Sequence, residues 1–257
     1  VRGATAVKDA TFKMPLRVGK GVMMMAAALC DQLHSEIAQV VYQKPPMLWE
    51  MFCSPDSELT NQALKAGLCA YRINLAGGFD LYRKNTYDGL RQLRRRHKPK
   101  KFWISTPCTF YCDWTDLNYH NRREVLFERR RKEKSMHLKV MDFAEEALLE
   151  DETADLYWEW PRRCRAWKES HVEEFKTRLF KKCGRNLYLC QIDGCRYGMK
   201  DSHGNIIKKS WQILTTDVVF YTMFRLKVCL QNHEHAQIHG LETTRSAYYP
   251  TALCRSI

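Results

Sequence analysis

The chain is short of proline, of glycine and of acidic charge, and it lacks any long apolar run. Eight prolines and twelve glycines in 257 residues, beside 45% hydrophobic residues and seven tryptophans, exclude a mostly disordered chain. No stretch reaches the roughly 18–20 apolar residues of a membrane span; the longest candidate, 22–30, is studded with Met and Ala. No signal peptide is recognisable. Paired cysteine spacing is also missing: the eleven cysteines are odd in number and irregularly placed. They read as reduced thiols, most of them buried. The expected setting is therefore intracellular, and nuclear in a eukaryote. The acid deficit is 42 − 29 = +13, with a pI near 9.3. That balance points to a polyanionic partner, nucleic acid, and DNA in preference to RNA.

What is present is an alternation. Short apolar runs at 47–53, 69–75, 101–105, 155–160 and 186–191 predict strands. Helical patterns at 58–66, 86–97, 121–150 and 172–182 fall between them. Short strands with helical returns are the pattern of a parallel sheet with helices on its faces. Residues 1–44 read as a basic arm and a helix, residues 45–192 as the main domain. After Gly194 the pattern changes to short strands and turns with a weak helix at 217–224, which predicts a small irregular C-terminal α+β appendage over 193–257.

In such a sheet ligands bind at the carboxyl ends of the strands. The segments leaving the first four strands are Phe52-Cys53-Ser54-Pro55-Asp56-Ser57, Gly78-Phe79-Asp80, Thr106-Pro107-Cys108 and Glu159-Trp160-Pro161. A cysteine at one strand end and a carboxylate at the next make a candidate nucleophile and acid pair.

The order of these segments resembles the cytosine-C5 methyltransferases of DNA and tRNA, over roughly residues 47–200. The fold this resemblance implies is α/β, a Rossmann-like, mostly parallel sheet flanked by helices. The cofactor it implies is S-adenosylmethionine, held by Phe52, Ser54, Pro55, Asp56, Ser57, Asp80 and Pro107. Met51–Leu59 sits where the family has its first cofactor loop, with Cys-Ser-Pro-Asp-Ser in place of the glycines. Ile104-Ser105-Thr106-Pro107-Cys108 resembles the Pro-Cys catalytic motif. Trp158-Glu159-Trp160-Pro161 falls at the Glu-Asn-Val motif and keeps its Glu. Leu189-Cys190-Gln191 with Arg196 resembles the Gln-x-Arg-x-Arg segment. The roles implied are a Cys108 thiolate that adds to cytosine C6, Glu159 at N3 and Arg196 at O2.

Three further groups stand out. Cys195, Cys229, His233 and His235 combine soft thiolates with imidazoles, the donor set of a tetrahedral structural zinc. Arg122, Arg123, Arg129, Arg130 and Arg131 follow the Cys108 loop, placed to meet phosphates. Lys208, Lys209 and Trp211 are candidates for backbone contact and base stacking. The rival to an enzyme is a non-catalytic nucleic-acid-binding module on a decayed methyltransferase fold, part of a larger polyprotein.

Overall fold

The computed structural model describes residues 48–257. The basic arm and helix expected over residues 1–44 lie outside the described residues.

Four strands, β1 (Leu48–Met51), β2 (Ala70–Ile73), β3 (Lys101–Ile104) and β4 (Asp155–Pro161), pair in parallel in the order β2-β1-β3-β4. Two more, β5 (Tyr188–Asp193) and β6 (Ser210–Thr215), complete a six-stranded sheet of order β2-β1-β3-β4-β6-β5. Strand β6 runs antiparallel to both neighbours, so three of the five pairings are parallel and two are antiparallel. The sheet is mixed, and residues 210–215 are part of it. Within the span expected as a small irregular C-terminal appendage, residues 210–215 instead enter the main sheet between β4 and the edge strand β5.

Side chains alternate across each strand, and the alternation divides the core in two. Trp49, Met51, Phe102, Ile104, Leu156, Trp158 and Trp160 face one side. There they meet α2 (Lys84–His97), α4 (Arg123–Glu150) and α5 (Ser170–Cys183) through Leu90, Phe143, Ala144, Ala147, Phe175 and Leu179. Leu48, Trp103, Tyr157, Ile192, Trp211 and Ile213 face the other side. They meet α1 (Glu58–Lys65), α6 (Val218–Phe224) and α8 (Thr251–Ser256) through Leu59, Phe220, Phe224 and Leu253. Two short helices, α3 (Asp113–Asn118) and α7 (Leu241–Arg245), sit in the connections.

The 28-residue α4 spans roughly 42 Å at 1.5 Å per residue. Its residues Met136, Val140, Met141, Phe143, Ala144, Ala147 and Leu148 are buried, and its cationic first half is mostly exposed. Left-handed residues end two helices where the patterning predicts it: Lys98 at φ 48° before Pro99, and Gly184 at φ 62°.

Buried Glu50 ties α1 to the sheet. Its carboxyl accepts hydrogen bonds from Ser57 Oγ at 2.6 and 2.7 Å, Thr60 Oγ1 at 2.6 Å and Thr60 N at 3.1 Å. Burial raises its pKa, against the hydrogen bonds and the Arg72 charge.

Candidate catalytic and metal sites

The chain leaves β1 for β2 on one side, then crosses back to β3 on the other. The carboxyl ends of β1 and β3 therefore part at a topological switch point, where an open α/β sheet forms its crevice. Met51 and Ile104 end these strands side by side, with Ser105 N donating to Met51 O at 3.2 Å.

Phe52 leaves β1 with φ 64°, a left-handed backbone on a bulky non-glycine residue. Its N–H still donates to Ile73 O at 3.0 Å, so the strand pairing holds while the chain turns. Cys53 faces inward, donating to Glu50 O at 3.2 Å, and burial pushes its thiol far up. Pro55 and Asp56 are exposed and Ser54 is half-buried. Ser57 is buried, and its hydroxyl is given to Glu50. Asp80 accepts from Tyr82 N at 3.1 Å and pairs with Arg83 at 2.9 Å, a turn leading into α2. Pro107 follows the buried Thr106, whose carbonyl accepts from Trp160 Nε1 at 2.9 Å.

Cys108 follows Pro107, packed against the core on the α4 side. The buried Cys164 thiol donates to its sulfur, and this bond, with the charge of Lys209, holds Cys108 below the ordinary thiol value. Burial and the charges of Glu159 and Glu133 oppose that shift. Glu159, near the end of β4, is 7% exposed. Burial lifts its pKa to about 7, against hydrogen bonds from Tyr249 and Ser105 and the charge of Lys209. Cys108 and Glu159 stand at the carboxyl ends of the neighbouring parallel strands β3 and β4. Cys108 packs with the core on the α4 side, whereas Glu159, between Trp158 and Trp160 on β4, turns to the opposite face, where Tyr249 holds it. A thiol held below its ordinary value is a candidate nucleophile, and a carboxyl that titrates near neutrality is a candidate proton donor.

Beneath Cys108 lies a buried polar group. His137 Nδ1 and His171 Nε2 are 3.1 Å apart, and burial lowers their pKa values to about 3 and about 4, keeping both rings neutral. One turn earlier on α4, Glu133 is 3% exposed with Oε2 unpartnered, and burial raises it to about 7.

Arg196 is exposed on the turn Gly194–Tyr197 that follows β5. The cation whose field reaches both Cys108 and Glu159 is Lys209, which the sequence marks as a candidate for nucleic-acid backbone contact. Trp211 is corrected from an exposed stacking residue to a core one. It is 3% exposed, paired within the sheet as part of β6, and edge-on to Tyr249 at 5.4 Å. Cys164, Glu133 and Tyr249 carry no local sequence signal.

The four metal candidates converge. Cys195 comes from the turn after β5; Cys229, His233 and His235 come from the loop after α6, and their ligand atoms all lie within 4.8 Å of one another. Cys229 Sγ is 3.7 Å from His233 Nε2 and 3.5 Å from His235 Nε2. A tetrahedral ion with Zn–S and Zn–N bonds of ~2.3 and ~2.0 Å sets S···N edges of roughly 3.5 Å. Around the cluster, Gln231 N donates to Cys229 Sγ at 3.2 Å, and Cys229 N donates to buried Asp193 at 2.7 Å. His233 Nδ1 lies 2.9 Å from Asn232 Oδ1, so the ring is held by its second nitrogen while Nε2 faces the cluster. This cluster could hold a metal ion. Asp193 also accepts from Ser210 Oγ at 2.5 Å and pairs with Lys208 at 3.6 Å, which ties the cluster to the start of β6.

The basic run divides by environment. Arg122, Arg123 and Arg129 are exposed, with Arg122 over Tyr119 at 5.3 Å and Arg129 over Phe110 at 5.8 Å. Arg130 is half-buried and donates to Phe110 O at 2.8 Å and to Asp116 at 3.0 Å. Arg131 pairs with Glu128 at 2.7 Å. Among the described residues, no helix is long and apolar enough to cross a membrane. No protein-family model, curated protein or solved structure matches the chain.

Proposed function

We propose that the protein is an S-adenosylmethionine-dependent cytosine-C5 methyltransferase acting on nucleic acid, built on a Rossmann-like, mostly parallel sheet. The observation that carries this reading is that Cys108 and Glu159 stand at the carboxyl ends of the neighbouring parallel strands β3 and β4. Cytosine C5 is a poor nucleophile until a thiolate adds at C6. Cys108 supplies that thiolate, with Cys164 and Lys209 holding its negative charge. Glu159, titrating at about 7, protonates or holds N3, so that charge does not build up on the ring. Loss of the C5 proton then expels the Cys108 thiolate and restores the aromatic base.

In an open α/β sheet the cofactor would lie at the carboxyl ends of β1 and β3. Ser54, Pro55, Asp56 and Pro107 would hold it, with Phe52 turning the chain out of the way; when bound it supplies the electrophilic methyl group. Ser57 does not take part, since Glu50 holds its hydroxyl, and Asp80 meets it only by leaving Arg83. The exposed Arg122, Arg123 and Arg129 face the phosphates of DNA in preference to RNA. We assign the Cys195–Cys229–His233–His235 cluster to one structural zinc, on the donor set and the S···N spacing.

The second reading, a non-catalytic nucleic-acid-binding module, is favoured by two observations. Tyr249 already satisfies Glu159, and a cofactor-loop serine is spent on the core. Calorimetry with S-adenosylmethionine and a methyl-transfer assay on cytosine-containing oligonucleotides separate the two. The enzyme binds the cofactor, and Cys108→Ala abolishes transfer while the fold survives. No binding at millimolar cofactor by folded protein favours the module.

A further inference from the structure

We infer that Tyr249 closes a base-sized slot over Glu159 and swings out of it, into the cavity alongside, when a cytosine of a nucleic-acid strand enters. The inference rests on the reading of Glu159 as the group that holds the base.

The slot is defined by what now fills it. The Tyr249 ring stands edge-on to Trp103 at 5.8 Å and to Trp211 at 5.4 Å. Its hydroxyl donates to Glu159 Oε2 at 2.7 Å, accepts from Trp103 Nε1 at 3.2 Å, and lies 3.1 Å from Ser105 Oγ. A flat ring set edge-on to two tryptophans, aiming one donor at a buried carboxyl, satisfies the recognition that a cytosine presenting its amino edge would satisfy.

The ring also has somewhere to go. Tyr249 forms one wall of a cavity of about 400 Å³ shared with Tyr197, Met199, Lys200, Arg245 and Tyr248. The cavity gives the displaced ring room beside its present place. The tail beyond stays attached: Thr251 donates to Glu58 at 2.7 Å, Arg255 to Gln62 at 3.1 Å, and Leu253 and Cys254 are buried. The segment that moves is the short stretch before α8. Lys200 and Arg245 place positive charge on the same cavity, where a phosphate arrives with the base, and Tyr197 and Tyr248 offer faces for a neighbouring base.

The test measures binding of the full chain to a labelled single-stranded oligonucleotide carrying one cytosine, and to the same strand with an abasic site there. Wild type and Tyr249→Phe are compared. A closed slot taxes affinity by the fraction of molecules that are open, and the phenol–carboxyl bond is of a strength that makes this roughly tenfold. Tyr249→Phe is expected to bind the cytosine strand about tenfold tighter and the abasic strand unchanged. Preference for cytosine in wild type with no gain in Tyr249→Phe overturns the latch and leaves the reading of Glu159 standing. No preference in either protein overturns both. Should Tyr249→Phe fail to fold, wild-type tryptophan emission decides: it changes on saturation with the cytosine strand and not with the abasic one, and equal responses overturn the latch.

Discussion

Glu133→Gln is expected to make the protein more stable at alkaline pH and to leave it unchanged in acid. Glu133 is 3% exposed and its Oε2 has no partner, so ionising it in the fold is costly. Burial raises its pKa from 4.5 to about 7, against the Arg130 charge. An unfolded glutamate loses its proton near pH 4.5 and the folded one near 7. Below the lower value both states are protonated and nothing is lost; between the two the unfolded state sheds its proton first and stability falls; above 7 the full cost applies. That cost has a ceiling of about 3 kcal/mol. Glutamine fills the same volume without a charge. At pH 8.5 the Glu133→Gln midpoint should exceed the wild type's by roughly 4–10 °C, and at pH 4.5 the two should nearly coincide. Thermal unfolding followed by circular dichroism at both values is sufficient. A variant no more stable than wild type at pH 8.5 would refute the view that Glu133 is buried without compensation.

Three other outcomes follow from particular contacts. Glu50→Ala strands the hydroxyls of Ser57 and Thr60 and the Thr60 N–H, and should lower unfolding free energy by about 3 kcal/mol; a loss under ~1 kcal/mol in urea titrations contradicts the role given to this carboxyl. Wild-type protein should carry about one zinc per chain, Cys195→Ser or Cys229→Ser should lose it, and a chelator should lower the wild-type midpoint only. A metal-free wild type of undiminished stability argues against the assignment. Replacing Arg122, Arg123 and Arg129 together with Ala should flatten the plot of log affinity against log salt by up to about three, and an unchanged slope removes this helix end from the nucleic-acid surface.

The parallel half of the fold was legible because its strands are short apolar runs separated by helical patterns, so Cys108 and Glu159 could be placed at neighbouring strand ends. The metal cluster was legible from its soft donors, although they come from two separate loops. Strand β6 was not. Trp211, Ile213, Leu214 and Thr215 are buried on both faces, which erases the alternation that marks a half-exposed strand, and the strand follows a turn that reads as the exit of a hairpin. The local pattern therefore reads Trp211 as a surface ring. Its neighbour Tyr249 lies 38 residues on, and Tyr249 meets Glu159 across 90 residues. Contacts of that separation leave no trace in local pattern. Ser57 shows the same limit: whether a strand-end serine serves a ligand or the core depends on Glu50 beneath it, which reads only as an acid inside an apolar run.

The central claim is that Cys108 attacks a cytosine ring held against Glu159. An oligonucleotide in which the target carries fluorine at C5 blocks the final loss of the C5 proton and traps the thiol adduct. Incubated with S-adenosylmethionine and this strand, the protein should form a complex that survives denaturation, and peptide mass spectrometry should place the bond on Cys108. Trapping on another cysteine, or none while the protein binds both cofactor and strand, would contradict the account.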